Sequence, residues 1–152
     1  MIMLDKITLD DIDIHVQATD WEDAIKKSAQ YLIEQGKITE EYVEAMIEAV
    51  HRVGPYIVLG NHVALAHARP ECGVKEEGVH FATLEPPINF GSERFDPVGL
   101  IITLAALDSE SHMDFLGKLA EILIEEENVN RLISCKTREE FLQNINQISS
   151  EE

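Results

Sequence analysis

The sequence predicts an α/β layered domain, because apolar residues recur along it with helical and strand-like periods in alternation. The strongest strand pattern is Val98–Leu107, which is apolar almost throughout. A strand of this kind lies in the centre of a sheet with both faces covered. At 152 residues, with 45% of them apolar, the chain is long enough to bury a sizeable core. We therefore expect a single domain over residues 1–152.

A first short strand is expected near Ile12–Val16, where apolar and polar residues alternate. The first helix follows it. Thr19 and Glu22 have the spacing of a capping box, which predicts Thr19 as the N-cap with the Glu22 side chain reaching back. Gly36 comes after the last apolar residue of the helical pattern, so the helix is expected to end there.

A second helix is expected between Thr39, a typical N-cap residue, and the breaker pair Gly54-Pro55. Two short apolar runs follow, Tyr56–Leu59 and Val63–Ala66. The turn residues Gly60-Asn61 separate them. This part of the chain therefore predicts two short strands joined by a turn.

The second half of the chain predicts one further strand before the central one and two helices after it. Val79–Leu84 reads as a strand that Pro86-Pro87 closes. Asp108–Ser111 offers several N-caps for the helix that follows the central strand. The inner face of that helix is expected to hold Leu116, Leu119, Ala120 and Leu123. The capping box Thr137–Glu140 opens a last helix. Its inner face is expected to hold Phe141, Ile145 and Ile148.

The chain is strongly acidic, with 29 acidic and 12 basic residues and a net charge of −17. This charge disfavours nucleic acid and anionic membranes as partners, because both need a basic face. It would steer a protein that carries a basic docking patch. No apolar run approaches the roughly 18 residues of a spanning helix, and Met1–Lys6 lacks the pattern of a signal peptide. We therefore expect no membrane insertion, a cytoplasmic location, and reduced thiols at Cys72 and Cys135.

Two histidines satisfy the rule that sites in open α/β sheets gather beyond the carboxyl ends of strands. His67 comes directly after the Val63–Ala66 strand, and Arg69 and Pro70 follow two and three residues later. His112 lies in the first turn of the helix after the central strand, on the apolar face of that helix. It is expected to point at the end of the sheet. If the two strands are neighbours, the two imidazoles could meet.

A histidine pair beside an arginine suits the transfer of a phosphoryl group. A neutral imidazole is a competent nucleophile near pH 7, because its pKa is about 6.5. We expect His67 as the nucleophile, with Arg69 and His112 as stabilisers of the phosphoryl charge and a helix N-terminus adding its positive dipole. The spacing also allows simpler roles, in which His67 packs at a strand end, His112 is a satisfied core histidine and Arg69 is a solvated surface residue.

No other chemistry finds a matching motif in the sequence. The remaining histidines lack His-x-x-x-His spacing, so we expect no metal site. Neither a glycine-rich phosphate loop nor a Gly-x-Ser-x-Gly elbow is present. We expect no cofactor.

Several motifs occur together in one order along the chain. They are Gly54-Pro55-Tyr56, Ala64–Val74, Asp96-Pro97-Val98, His112 and Glu126-Glu127-Asn128. In these motifs, from about Thr19 to Ile148, the chain resembles the IIA components of the sugar phosphotransferase system, in the mannitol–fructose type superfamily and its ascorbate-type branch. The resemblance puts the family's phosphorylated histidine on His67 and its second active-site histidine on His112.

The resemblance implies a fold, a phosphotransferase activity and partners. The fold is a mixed sheet of about five strands sandwiched by helices, as in mannitol-type IIA domains. A histidine phosphocarrier protein would donate the phosphoryl group to His67, and His67 would pass it to a IIB component of a sugar system, without a metal. An alternative stays open, in which phosphorylation of His67 regulates a transcription antiterminator or another partner.

Three places depart from the family pattern. Ala66 replaces the usual proline before the active histidine, and Asn61-His62 replaces the usual Pro-Gly before the strand. Mannitol-type members also carry an active-site arginine upstream, where this chain has His51 and Arg52. The resemblance alone does not assign that arginine's role to either residue.

Overall fold

Five strands form one mixed sheet in the computed structural model, which describes residues 3–108, 110 and 112–151. The strands are β1 (Ile12–Val16), β2 (Val58–Gly60), β3 (Val63–Ala66), β4 (Gly78–Ile88) and β5 (Val98–Ala105). Their order across the sheet is β1-β4-β5-β3-β2. The pairs β4–β5 and β2–β3 are antiparallel, whereas β1–β4 and β3–β5 are parallel. The expected mixed sheet of about five strands is confirmed.

Helices cover both faces of the sheet. In the described ranges they are α1 (Trp21–Glu34), α2 (Glu40–Val53), α3 (Met113–Leu123), α4 (Glu126–Ile133) and α5 (Arg138–Glu151). Short 3₁₀ helices span Leu4–Lys6, Leu9–Asp11 and Pro70–Cys72. Helices α1 and α2 share one apolar core with the sheet, and α3, α4 and α5 share the other. None of these helices combines the length and the apolar composition needed to cross a membrane.

The central position of β5 explains its almost uniform apolar character. All eight of its residues are buried. Leu100 and Ile102 belong to the core under α3, α4 and α5, whereas Ile101 and Ala105 belong to the core under α1 and α2. Since a strand turns successive side chains to opposite faces, both cores favour apolar residues along it, and Thr103 is the buried polar exception. The predicted central strand is confirmed, although it ends two residues earlier, at Ala105.

The predicted N-cap of α1 is wrong by one residue. Asp20 is the N-cap, and its Oδ1 accepts a hydrogen bond from the Asp23 backbone N–H at 2.8 Å. Asp23, rather than Glu22, reaches back to the backbone N–H of Thr19, at 2.9 Å. Aspartate caps a helix at least as well as threonine, so Asp20 displaces Thr19 from this role.

The N-terminal caps of two other helices are confirmed. The Thr39 hydroxyl accepts a hydrogen bond from the Tyr42 backbone N–H in the first turn of α2, at 3.3 Å. The Thr137 hydroxyl accepts one from the Glu140 backbone N–H in the first turn of α5, at 3.0 Å. In α5 the Glu140 carboxylate reaches back to the backbone N–H of Lys136. Gly54 ends α2 with a φ of 106°, a conformation that L residues rarely adopt.

The prediction that Pro86-Pro87 closes β4 is wrong, because the strand continues to Ile88. Glu85 and the two prolines are exposed, and the pairing of β4 with β5 shifts register between Thr83 and Ile88. A proline cannot donate a ladder hydrogen bond, and at an interruption of the ladder none is required. The strand therefore passes through the two prolines.

The buried face of α3 differs from the predicted one. It consists of Phe115, Leu119, Ile122 and Leu123, while Leu116 is partly buried. Ala120 is exposed, which corrects the prediction. The stripe is rotated because the large ring of Phe115 takes an inner position. His112 is the N-cap of the helix, and it makes no side-chain capping bond. Ser109 and Ser111, two of the predicted caps, lie outside the described residues.

Helix α4 was not predicted. It has eight residues, and its buried apolar side chains are Val129 and Leu132. A segment so short and so rich in acidic residues carries little helical periodicity. The stability of the helix comes mainly from packing against the sheet.

The turn between β2 and β3 has a left-handed backbone, although two of its three residues are not glycine. Gly60, Asn61 and His62 have positive φ values of 136°, 49° and 70°. The Asn61 side chain donates a hydrogen bond to the Leu123 carbonyl oxygen at the end of α3, at 2.9 Å. His62 Nδ1 lies 2.8 Å from the Pro97 carbonyl oxygen. These bonds hold two residues in a conformation that they rarely adopt.

Candidate active site

The carboxyl ends of β3 and β5 lie side by side, because the two strands pair in parallel with Ala66 opposite Thr103. His67 directly follows Ala66, and β5 leads into the segment that carries His112. Both imidazoles line one small cavity of about 180 Å³. Its other lining residues are Tyr42, Ala68, Pro70, Leu104, Ala106 and Asp108. The structure thus brings together the two histidines that the sequence singled out.

The ring of His67 is held by the backbone of its own strand. Its Nδ1 lies 2.8 Å from the Leu65 carbonyl oxygen. A carbonyl oxygen can only accept a hydrogen bond, so Nδ1 must carry the proton. In the neutral ring this leaves a free electron pair on Nε2. His67 is partly buried, which keeps the ring oriented without closing it to a partner.

Tyr56 packs against His67 on the outer side of the site. The two rings meet edge to face, with centroids 5.6 Å apart. The Tyr56 hydroxyl donates a weak hydrogen bond of 3.3 Å to the His67 carbonyl oxygen. Burial raises the pKa of Tyr56, and the nearby charge of Arg52 partly opposes this shift. The motif Gly54-Pro55-Tyr56 was noted in the sequence, but its contact with His67 was not predicted.

His112 stands at the N-terminus of α3, where the helix dipole is positive. The residue is partly buried. Its Nδ1 is buried and has no hydrogen-bond partner within the described part of the chain. This environment differs from that of a core histidine with both ring nitrogens satisfied. It leaves His112 with unused hydrogen-bonding capacity beside the His67 cavity.

Arg69 does not join the two histidines in the cavity lining. Its side chain is exposed, and it makes no ion pair with any described residue. Its backbone position precedes the 3₁₀ helix Pro70–Cys72, whose first residue does line the cavity. Arg69 therefore lies beside the site with a free guanidinium.

The two upstream candidates for the family's arginine lie outside the cavity. His51 pairs with Glu22 and packs on the Trp21 ring at 5.0 Å. Arg52 Nε lies 3.4 Å from a Glu48 carboxylate oxygen, and both side chains are largely exposed. The charge of Arg52 acts on Tyr56, the residue whose ring contacts His67.

Tyr42 lies under the site, and the sequence did not indicate a role for it there. Its hydroxyl lies 2.8 Å from the Leu104 carbonyl oxygen and 3.0 Å from the backbone nitrogen of Ala68. Burial raises the pKa of Tyr42 to about 12. The signal that could have revealed it is the choice of tyrosine over phenylalanine on a buried helix face, because a buried hydroxyl needs a partner.

His80 takes part in a separate polar cluster at the other edge of the sheet. It is 1% exposed, and its Nε2 lies 2.9 Å from Asp13 Oδ2. Arg138 on α5 donates to Asp13 Oδ1 at 2.8 Å. The hydrogen bond from His80 is the largest cause that lowers the pKa of Asp13 to about 2. The cluster ties β1, β4 and α5 together and is distinct from the histidine pair.

A second cavity, of about 660 Å³, is larger than the one between the histidines and lies away from the pair. It runs between the β2–β3 turn and α3, and it is lined mainly by apolar side chains such as Leu59, Leu116 and Ile124. Size alone therefore does not identify the site. The small cavity is the one that both His67 and His112 line.

Known proteins are similar to this chain over most of its length. Residues 6–148 match the family model described as "Phosphoenolpyruvate-dependent sugar phosphotransferase system, EIIA 2". The chain is 35% identical over 140 residues to the ascorbate-specific PTS system EIIA component of Shigella boydii, which covers 91% of each chain. It is 32% identical over 140 residues to the protein of the same name from Escherichia coli K12.

Solved structures show the same fold. The mannitol-specific cryptic phosphotransferase enzyme IIA of Escherichia coli matches with a TM-score of 0.83 and 32% identity, over 96% of this chain and 99% of that one. The enzyme IIA in the complex of IIAMTL with phosphorylated IIBMTL from Escherichia coli matches with a TM-score of 0.80 and 26% identity, over 93% and 98% of the two chains. The mannitol-type IIA fold is confirmed. The chain belongs to the EIIA 2 family of the phosphoenolpyruvate-dependent sugar phosphotransferase system.

Proposed function

We propose that the protein carries a phosphoryl group on His67. A histidine phosphocarrier protein donates the group, and a IIB component of an ascorbate-type or related sugar system receives it. The observation that carries this proposal is that His67 and His112 line one cavity beyond the ends of two parallel strands. The hydrogen bond of His67 Nδ1 to Leu65 adds to it, because it leaves Nε2 as the nucleophile.

In the first transfer the Nε2 electron pair attacks the phosphorus of the donor's phosphohistidine. A new N–P bond forms on His67 as the donor's N–P bond breaks, and the electron pair of that bond returns to the donor's imidazole. The His67 ring keeps its Nδ1 proton, and the Leu65 carbonyl oxygen stabilises the positive charge that the ring acquires. In the second transfer a nucleophile of the IIB component attacks the same phosphorus, and Nε2 recovers its electron pair.

The phosphoryl oxygens need donors on a protein of net charge −17. His112 is the first candidate, since its ring lines the cavity and Nδ1 has no partner among the described residues. The N-terminus of α3 adds its positive dipole from the same side. Arg69 is the second candidate, with an exposed guanidinium beside the site. Such groups act by positioning and charge stabilisation, without a metal.

Exposed apolar side chains around the cavity favour protein partners over a small substrate. Tyr56 contacts His67, Leu107 follows a lining residue, and Met113 follows His112. These three side chains are 41%, 49% and 64% exposed. A partner with a basic rim would cover them and would be attracted by the acidic chain. The similarity to an enzyme IIA solved in complex with its phosphorylated IIB partner supports the same docking.

We place this transfer in the cytoplasm, where thiols remain reduced. Cys72 and Cys135 are both free.

Phosphotransfer from phosphoenolpyruvate, through the general phosphotransferase enzymes and the histidine phosphocarrier, tests the proposal. One phosphoryl group should be added per chain and should map to His67 by mass spectrometry. His67→Ala should abolish labelling. His15→Asn is the matched control, because His15 is exposed and has a φ of 55° that asparagine tolerates. Labelling of the His67→Ala protein would refute the assignment.

A further inference from the structure

We propose that Tyr42 is a positioning residue for this transfer, and that its hydroxyl sets the distance between His67 and His112. The inference rests on the proposed phosphoryl transfer at His67. It concerns a residue that cannot itself contact the phosphoryl group, because its oxygen and its proton are already engaged by the backbone.

The hydroxyl joins two backbone segments. Tyr42 is 1% exposed on α2, and its oxygen accepts a hydrogen bond from the Ala68 N–H at 3.0 Å. Its proton goes to the Leu104 carbonyl oxygen at 2.8 Å, with the Ala68 carbonyl oxygen further away at 3.3 Å. One hydroxyl therefore receives one hydrogen bond and donates another, which uses it fully.

These bonds begin where the sheet ladder stops. The last pair of residues in the β3–β5 ladder is Ala66 and Thr103. Leu104 is the next residue on β5, and Ala68 lies two residues after the end of β3. Beyond the ladder, the Tyr42 hydroxyl links the segment after β3 to β5. It thereby fixes the segment that carries His67 against the strand that leads to His112.

Such a link matters because phosphoryl transfer depends on position. A misplacement of about 1 Å at a reacting group can cost about 100-fold in rate. Burial raises the pKa of Tyr42 to about 12, so the hydroxyl stays protonated and remains a donor through the neutral range. Phenylalanine would fill the same space, but it would leave the Ala68 N–H and the Leu104 carbonyl without this partner.

The test is the rate of phosphoryl transfer to Tyr42→Phe from the phosphorylated histidine phosphocarrier. The expected result is a 10- to 100-fold lower kcat with little change in KM, because the docking surface is untouched. The ¹⁵N resonances of the His67 ring should shift as well. Tyr31→Phe is the matched control, since Tyr31 packs on His80 at 5.2 Å in the separate cluster. It should transfer at the wild-type rate.

A merely structural role predicts a different outcome. If Tyr42→Phe lowers the melting temperature but the folded protein keeps the wild-type kcat, the inference is overturned. If the wild-type protein itself accepts no phosphoryl group, the proposed function fails instead. Should Tyr42→Phe not fold, 3,5-difluorotyrosine at position 42 replaces it, because fluorine lowers the phenol pKa. The transfer rate should then fall at alkaline pH, and a pH profile identical to that of the wild type would equally overturn the inference.

Discussion

His67 Nδ1 lies 2.8 Å from the carbonyl oxygen of Leu65, two residues earlier in the same chain. The backbone at the end of β3 thus selects the tautomer of His67, the residue that directly follows the strand. Nδ1 carries the proton, and Nε2 is left with the electron pair that can attack phosphorus.

The first prediction follows from this bond: the phosphoryl group will be attached to Nε2 of His67. Long-range ¹H–¹⁵N correlation spectra of the phosphorylated protein, with ³¹P coupling, distinguish the two ring nitrogens. The Nδ1 signal should remain that of a protonated nitrogen. A phosphoryl group on Nδ1 would mean that the Leu65 bond breaks on phosphorylation, and the mechanism derived above would be wrong.

The second prediction concerns His112. Replacing it with alanine removes a hydrogen-bond donor from the cavity, so transfer to His67 should slow by about tenfold or more. The fold should survive, since His112 makes no capping bond to α3, and we expect the melting temperature to fall by less than about 4 °C. Stopped-flow phosphotransfer and thermal unfolding measure the two effects. A rate equal to that of the His15→Asn control would exclude a role for His112.

The third prediction is that Arg69→Gln will have a smaller effect than His112→Ala. Arg69 is exposed and does not line the cavity, so solvent and salt screen its charge. Transfer should slow by less than about fivefold, and the difference from the wild type should shrink as salt is raised over about 0.05–0.5 M. A loss at high salt as large as that of His112→Ala would show that Arg69 moves into the site.

The fourth prediction concerns stability against pH. The bond from His80, followed by that from Arg138, lowers the pKa of Asp13 from 3.8 to about 2. Because the folded protein favours the ionised form, this carboxylate contributes stability above pH 3.8, and the contribution is lost as the pH falls from 3.8 through 2. Asp13 is about one-third exposed, so we expect Asp13→Asn to cost only about 1 kcal/mol at pH 7.

Urea unfolding at pH 7 and at pH 3 measures this effect. The difference between the wild type and Asp13→Asn should narrow at the lower pH. Asp5→Asn serves as the control, because Asp5 is exposed near the N-terminus and makes no ion pair with any described residue. A difference that stays constant between the two pH values would show that the charge of Asp13 is not its cause.

Local signals predicted most of the elements correctly. The continuous apolar run at β5, the threonine caps of α2 and α5, and the glycine that ends α2 each depend on a few neighbouring residues. The errors arose where two local signals competed or where packing decided. At the start of α1, Asp20 and Thr19 competed as the N-cap. In β4 the prolines do not end the strand, because the hydrogen-bond ladder with β5 is interrupted there.

The candidate site was predictable in part. The resemblance and the strand-end rule both indicated His67. They also indicated His112, because it lies in the first turn of the helix that follows the central strand. The roles of Tyr42 and Tyr56 were not predicted, because each depends on a contact with a residue outside its own helix or turn. The Tyr42 hydroxyl reaches Leu104, 62 residues away, and the Tyr56 ring contacts His67, which lies 11 residues later, after two strands and a turn.

The sequence by itself determined the periods of the helices and strands, the central place of the most apolar strand, and the histidine at the end of β3. These properties are local, since they follow from spacing, caps and turn residues. Only the tertiary structure decided that β3 and β5 are parallel neighbours, that His67 and His112 share a cavity, and that Tyr42 lies beneath them. The physical reason is that strand pairing joins residues far apart in the chain, and no local pattern encodes which strands will meet.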